Sequence, residues 1–204
     1  MTLVKICGIC DPGSAVAAMA AGADWLGMHF CSSPRRIEPE EARAIKDALP
    51  GRPRLVGVFI DQPAAEVAEI ARFCSLDLVQ LHGSEQPGFD AGVPVMKVLK
   101  VKDGALQPAD GWPPELPLMI DSWSPDQRGG TGKTWDWELA RPLLRSRQVF
   151  FAGGLNPTNV GEVVRRYRPF GVDVSSGVES RPRVKDPELV RAFVAAVRSA
   201  DGSR

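Results

Sequence analysis

Residues 149–179, "VFFAGGLNPTNVGEVVRRYRPFGVDVSSGVE", decide the fold. The segment opens on an apolar run, residues 149–152, with no polar alternation, as suits a strand covered on both faces. Gly153-Gly154 ends the run. Asn156-Pro157 then reads as a helix cap followed by proline at the first helical position, opening an amphipathic helix that runs to Tyr167. A second apolar run, residues 172–174, follows and stops at Ser175-Ser176-Gly177. Strand, helix and strand in so short a span make one parallel unit, because antiparallel partners would need only a tight turn between them.

Outward from this unit, similar apolar runs recur at residues 3–7, 25–30, 55–59, 78–81, 95–99 and 118–120, which brings the total to eight. Amphipathic stretches rich in Ala, Glu and Arg lie at 39–49, 64–73 and 186–200. Eight such strands are the number that closes a parallel ring, so the expected fold is an α/β (β/α)8 TIM barrel, one compact domain over residues 1–204. A doubly wound open sheet is the alternative. The weakest unit is "KDGALQPADGWPPELP", residues 102–117, where four prolines and two glycines predict a loop or single turn and a fifth helix that is short or absent.

Composition narrows the function. Lys and Arg total 25, as do Asp and Glu, so no overall field favours nucleic acid or an anionic membrane. No apolar run approaches the roughly 18 residues that span a bilayer, and no signal peptide is evident. Four cysteines in 204 residues do not resemble a disulfide framework, and a reduced, cytoplasmic protein is expected.

In such a barrel the working residues sit at the carboxyl ends of strands and in the loops that follow. That rule selects Cys7, the loop from Phe30 to Arg36, Asp61, Gln80 with His82, Asp121, Gly153-Gly154 and Ser175-Ser176-Gly177. Glycines and small hydroxyls after the last two strands suit a phosphate seat, since backbone N–H groups can approach the anion closely. Asp121 is either a structural cap or a general acid. Arg35 or Arg36 can grip a carboxylate with two parallel hydrogen bonds. Cys7 can serve as a proton-transferring base, and Cys10 packs against the following loop. The spacing of Cys7 and Cys10 also matches a redox dithiol, but the turn at Asp11-Pro12-Gly13 delays the next helix to about Ser14, unlike such motifs. His29 reads as an interior residue, and two histidines suggest no metal cluster. "QRGGTGKT", residues 127–134, imitates a nucleotide loop but carries Gln127 where the first glycine is required. It fits better as a mobile loop that closes over the site.

Nine segments, "VKICGI" (4–9), "GADWLGMHF" (22–30), "SPRRI" (33–37), "LVGVF" (55–59), "VQLHG" (79–83), "MIDS" (119–122), "GGTGKTWDW" (129–137), "AGGLNP" (152–157) and "VDVSSGVE" (172–179), resemble in order the phosphoribosylanthranilate isomerase family of tryptophan biosynthesis. The resemblance implies an Amadori rearrangement of a small phosphosugar–anthranilate substrate, with no cofactor and no metal. It implies Asp121 as general acid and Cys7 as general base. Arg35 would grip the anthranilate carboxylate, with Arg36 as alternative because the preceding loop is one residue shorter than usual. Gly153, Gly154, Ser175 and Ser176 would form the phosphate cradle, with Gln80, His82 and Asp173 as polar neighbours. Trp123 would stack on the anthranilate ring or line the loop. Cys10 stands where threonine is common, which leaves a disulfide to Cys7 open under oxidising conditions. The protein would act as a monomer or homodimer. Three rivals remain: the related barrel that rearranges an aminoimidazole ribotide, a non-catalytic phosphosugar-binding barrel, and a redox or metal protein built on Cys7 and Cys10.

Overall fold

The computed structural model describes residues 1–122 and 135–202. Its eight barrel strands are β1 (Leu3–Cys7), β2 (Trp25–His29), β3 (Arg54–Phe59), β4 (Leu78–Leu81), β5 (Val95–Lys102), β6 (Leu118–Ser122), β7 (Val149–Phe151) and β8 (Gly171–Val174). Each pairs in parallel with the next, β4 pairs with β5, and β8 pairs with β1. The ring is therefore closed, and the open-sheet alternative falls. The helices are α1 (Pro12–Ala20), α2 (Pro39–Asp47), α3 (Ala64–Cys74), α4 (Val160–Tyr167) and α5 (Pro187–Gly202).

The fifth unit has no helix: after β5 the chain turns at Asp103-Gly104 and pairs back on itself through Ala105–Leu106. The fourth unit also lacks one, because residues 82–94 contain three glycines and two prolines. After β6 the described chain makes only two short 3-10 turns, Trp137–Ala140 and Leu143–Arg145. Aromatic residues cover the barrel there. Trp137 stacks on Phe151 with ring centres 5.3 Å apart, and Trp135 donates its indole N–H to the Ala152 carbonyl at 2.9 Å. Two expected helix starts differ. The α1 helix begins at Pro12 rather than Ser14, because Asp11 caps it by accepting from the Ser14 N–H at 2.8 Å, and proline at the first turn needs no donor. The α4 helix begins at Val160, because Asn156 caps a separate turn, accepting from Thr158 N–H at 2.8 Å and Asn159 N–H at 3.2 Å.

Strand alternation and register decide what faces the interior. Lys5 lies opposite Trp25 and Asp173, and Cys7 opposite Gly27. His29 lies opposite Val58, Val58 opposite Gln80, Gln80 opposite Met96, and Lys100 opposite Asp121. Partners in register share a face. Beneath the mouth this inner face is apolar: Trp25, Val56, Leu78, Met96, Val98, Met119, Phe150 and Ala152 pack together. Gly171 leaves room for Phe150, since a Cβ there would stand 2.2 Å from its ring. A buried aromatic plug of this kind is worth about 3–5 kcal/mol on truncation to alanine. Toward the carboxyl end the same rows become polar, with Lys5, Cys7, His29, Gln80, Lys100, Asp121 and Asp173. These polar groups therefore share one mouth.

Candidate active site

Cys7 ends β1 and is buried. Its sulfur lies 3.3 Å from His29 Nε2. Burial pushes the Cys7 thiol above its ordinary range, while the Lys5 ammonium pulls it down and Asp173 pushes it up again. Gly27 makes space for both inward groups, because a Cβ there would meet Cys7 Sγ at 2.7 Å and Lys5 Nζ at 2.9 Å. Lys5, fully buried, donates to Asp173 Oδ1 at 2.7 Å. Burial alone would lower the Lys5 ammonium, but Asp173 and then Cys7 outweigh it and hold it charged.

Asp121 continues β6 one residue past the expected strand end, opposite Lys100. Burial and then the negative Asp173 raise its carboxyl from 3.8 to about 7, against the opposing pull of Ser122 N–H, Lys100 and Lys5. A carboxyl poised there exists as acid and base in comparable amounts at neutral pH. Gly153, with φ of 79°, packs directly on it: a Cβ would stand 2.7 Å from Asp121 Oδ1 and 2.6 Å from Ser122 N. The acid and the glycine turn after β7 are thus one unit.

The turns after β7 and β8 also meet. A Cβ on Gly177 would stand 2.1 Å from the Leu155 carbonyl oxygen, so only glycine allows that approach. Gly154 has φ of 76°, and Ser176 opens a 3-10 turn, Ser176–Val178. Ser175 Oγ is buried without a hydrogen-bond partner among the described residues, and so is Gln80 Oε1. Unsatisfied buried polar atoms call for a partner, and a ligand in the mouth would supply one.

Arg35 is buried and forms a two-pronged pair with Glu179, Nε to Oε1 at 2.7 Å and Nη2 to Oε2 at 2.6 Å. Lys185 Nζ joins the same carboxylate at 2.9 Å and the Ser175 carbonyl at 3.1 Å. Gly8, with φ of 74°, lies between these parts: a Cβ there would stand 2.4 Å from Arg35 Cδ and 3.0 Å from Ser175 Oγ. Arg36 points away from the mouth. It is exposed and pairs with Glu38 at 3.1 Å, so the structure does not bring it to the site. His82 Nε2 lies 2.5 Å from the Gln80 amide nitrogen, and burial and then the nearby His29 hold His82 well below its ordinary range. Asp61 is structural: with φ of 54° it accepts from Ser84 N–H at 2.6 Å and ties the loops after β3 and β4 together. All four cysteines are free thiols, and Cys10 Sγ donates to the carbonyls of Gly8 and Arg35, so the Cys7–Cys10 spacing forms no disulfide here. Trp123 and the glycine-rich residues 127–134 lie outside the described residues.

Sequence reasoning missed Lys5, Glu179, Lys185, Lys100 and the contact of His29 with Cys7. The signal for Lys5 and His29 was present. Lys5 is two residues before Cys7 and His29 two after Gly27, so each shares the inward face of its strand.

Fold and mouth define a (β/α)8 barrel that carries a thiol and a carboxyl, both of raised pKa, on the inward face at one end. The family model described as PRAI, N-(5'phosphoribosyl)anthranilate (PRA) isomerase, matches residues 4–196. The N-(5'-phosphoribosyl)anthranilate isomerase of Desulforamulus reducens is 45% identical over 201 residues, covering 97% of this chain and 96% of that protein. A solved structure of monomers generated from the dimeric phosphoribosylanthranilate isomerase of Thermotoga maritima aligns with a TM-score of 0.84 at 34% identity, over 98% of this chain and 100% of that one. A phosphoribosyl anthranilate isomerase solved with reduced 1-(o-carboxyphenylamino)-1-deoxyribulose 5-phosphate aligns at 0.81 and 31% identity, over 98% and 100%. The chain belongs to the N-(5'-phosphoribosyl)anthranilate isomerase family.

Proposed function

We propose that this chain converts N-(5-phospho-β-D-ribosyl)anthranilate to 1-(2-carboxyphenylamino)-1-deoxy-D-ribulose 5-phosphate in tryptophan biosynthesis, with Asp121 as acid and Cys7 as base. The supporting observation is register: the closed ring carries Cys7 and Asp121 on its inward face at one end, beside the Gly153 turn. In this reading Asp121 protonates the furanose ring oxygen, and the sugar opens to a Schiff base. Cys7, as thiolate, then removes the proton from C2′, and the resulting enolamine tautomerises to the ketone. Proton transfers by positioned groups are each worth about 10²–10⁴-fold.

Binding completes the scheme. Gly153, Gly154, Ser175 and Ser176 would cradle the phosphate through backbone N–H groups and hydroxyls. Arg35, oriented by Glu179, would face the anthranilate carboxylate, and Gln80, His82 and Asp173 would be polar neighbours of the sugar. Holding both ends of the substrate supplies the orientation that a two-step proton transfer needs. The whole chain acts as one barrel domain in the cytoplasm, alone or as a homodimer. No helix among the described residues is long and apolar enough to cross a membrane. A fluorescence assay following consumption of phosphoribosylanthranilate by the purified protein tests the reading. Absence of turnover would refute it.

A further inference from the structure

The Cys7 sulfur has a neighbour that the reaction scheme does not use. His29 Nε2 lies 3.3 Å from Cys7 Sγ, and the other ring nitrogen, Nδ1, lies 2.9 Å from Ser33 Oγ. Ser33 Oγ also accepts the Arg35 backbone N–H at 3.1 Å, which fixes the hydroxyl within the loop after β2. A serine oxygen with one such bond can still accept a second or donate its own proton. The imidazole can therefore hold either neutral tautomer without losing a partner.

We propose that His29 is the positioning residue of the Cys7 base: a neutral imidazole, anchored by Ser33, that bonds the sulfur in both of its protonation states and carries the thiol proton out of the mouth. The inference rests on Cys7 being the base. In the resting arrangement S–H donates to Nε2, and Nδ1–H donates to Ser33 Oγ. On ionisation the S–H bond breaks as Nε2–H forms, the Nδ1 proton passes to Ser33 Oγ, and the former Ser33 hydroxyl proton leaves to water at this partly exposed position. One proton is lost and one negative charge stays on sulfur. The ring ends neutral, now donating Nε2–H to the thiolate.

The surroundings favour this relay over a persistent imidazolium. Burial, then the cations Lys5, Arg35 and Lys185, hold His29 at about 3. His82 faces it from the end of β4. Cys7 itself faces Lys5 on its own strand, Asp173 on β8 and Lys185 near the chain's end, and it acts on Arg35 and Cys31 from the loop after β2. The Lys5 ammonium favours the ionised sulfur but is shared with Asp173, 2.7 Å from its Nζ. His29 supplies the neutral partner that can follow the sulfur through ionisation.

The test uses the full chain with His29→Val, His29→Gln and Ser33→Ala. The first readout is the rate of Cys7 alkylation by iodoacetamide against pH, followed on the Cys7 peptide by mass spectrometry, which needs no turnover. The second is kcat and KM on phosphoribosylanthranilate. His29→Val, a residue suited to a strand, should move the alkylation midpoint up by about one pH unit, with kcat at neutral pH down about tenfold and KM within about twofold. Ser33→Ala should move the midpoint in the same direction. Glutamine, which can donate a neutral N–H, should return the midpoint toward the parent value. Midpoint and kcat unchanged in both His29→Val and Ser33→Ala would overturn the proposal. A failure of the Cys7 reading is separable, because it would appear as turnover retained by Cys7→Ser.

Discussion

The Lys5 ammonium and the Asp173 carboxylate meet at 2.7 Å inside the ring, and this one ion pair acts on both Cys7 and Asp121 with opposite signs. Lys5 favours the ionised thiol and carboxylate, whereas Asp173 favours their protonated forms. Lys5→Met leaves Asp173 buried without its cation. Breaking a buried pair in this way costs about 3–5 kcal/mol, so urea denaturation at pH 7 should show a loss of that size. The same variant should raise the titration of Cys7, read by thiol alkylation.

The raised values of Asp121 and Cys7 predict the pH dependence of kcat/KM. In the proposed mechanism turnover needs Asp121 protonated and Cys7 ionised, but Asp121 titrates at about 7 and Cys7 above the ordinary thiol value of 9.0. Below the lower value Asp121 keeps its proton, and each pH unit gained yields about tenfold more thiolate. Between the two values, the gain in thiolate is offset by loss of the Asp121 proton. Above both, the rate falls. The profile should therefore be a bell with limbs near 7 and above 9, the limbs belonging to the coupled pair rather than to single residues. A flat profile from pH 5 to 10 would contradict it.

Asp121 should also cost stability. Its folded value, about 7, lies above its ordinary value of 3.8, so its favourable contribution is complete below the latter and is lost as pH rises through the former. Asp121→Asn removes the ionising group. Its Tm should exceed that of the parent at pH 8, and the gain should shrink at pH 5. An equal or negative difference at both pH values would contradict the assignment.

Much of this was legible in the sequence for a physical reason. Apolar runs without alternation require a sheet covered on both faces, and strand ends in such a sheet place Cys7, Asp121 and the glycine turns in one mouth. Three features were not legible. The fourth strand–helix unit has no helix because residues 82–94 combine glycines and prolines, a weakness masked by the strong strands on either side. Glu179 and Lys185 approach Arg35 only through tertiary folding: Glu179 is 144 residues away in sequence, and no local pattern marks it. Arg35 and Arg36 are equivalent in composition, and only the turn that follows β2 buries one and exposes the other.

The central claim is that a thiol from β1 and a carboxyl from β6 divide the proton transfers of one isomerisation. Turnover of phosphoribosylanthranilate by Cys7→Ser and by Asp121→Asn, measured beside the affinity of each for the reduced product analogue, tests it most directly. Each variant should lose about 10²–10⁴-fold in kcat while binding the analogue within a few-fold of the parent. Near-parental kcat in either variant would show that its residue does not carry the proton assigned to it.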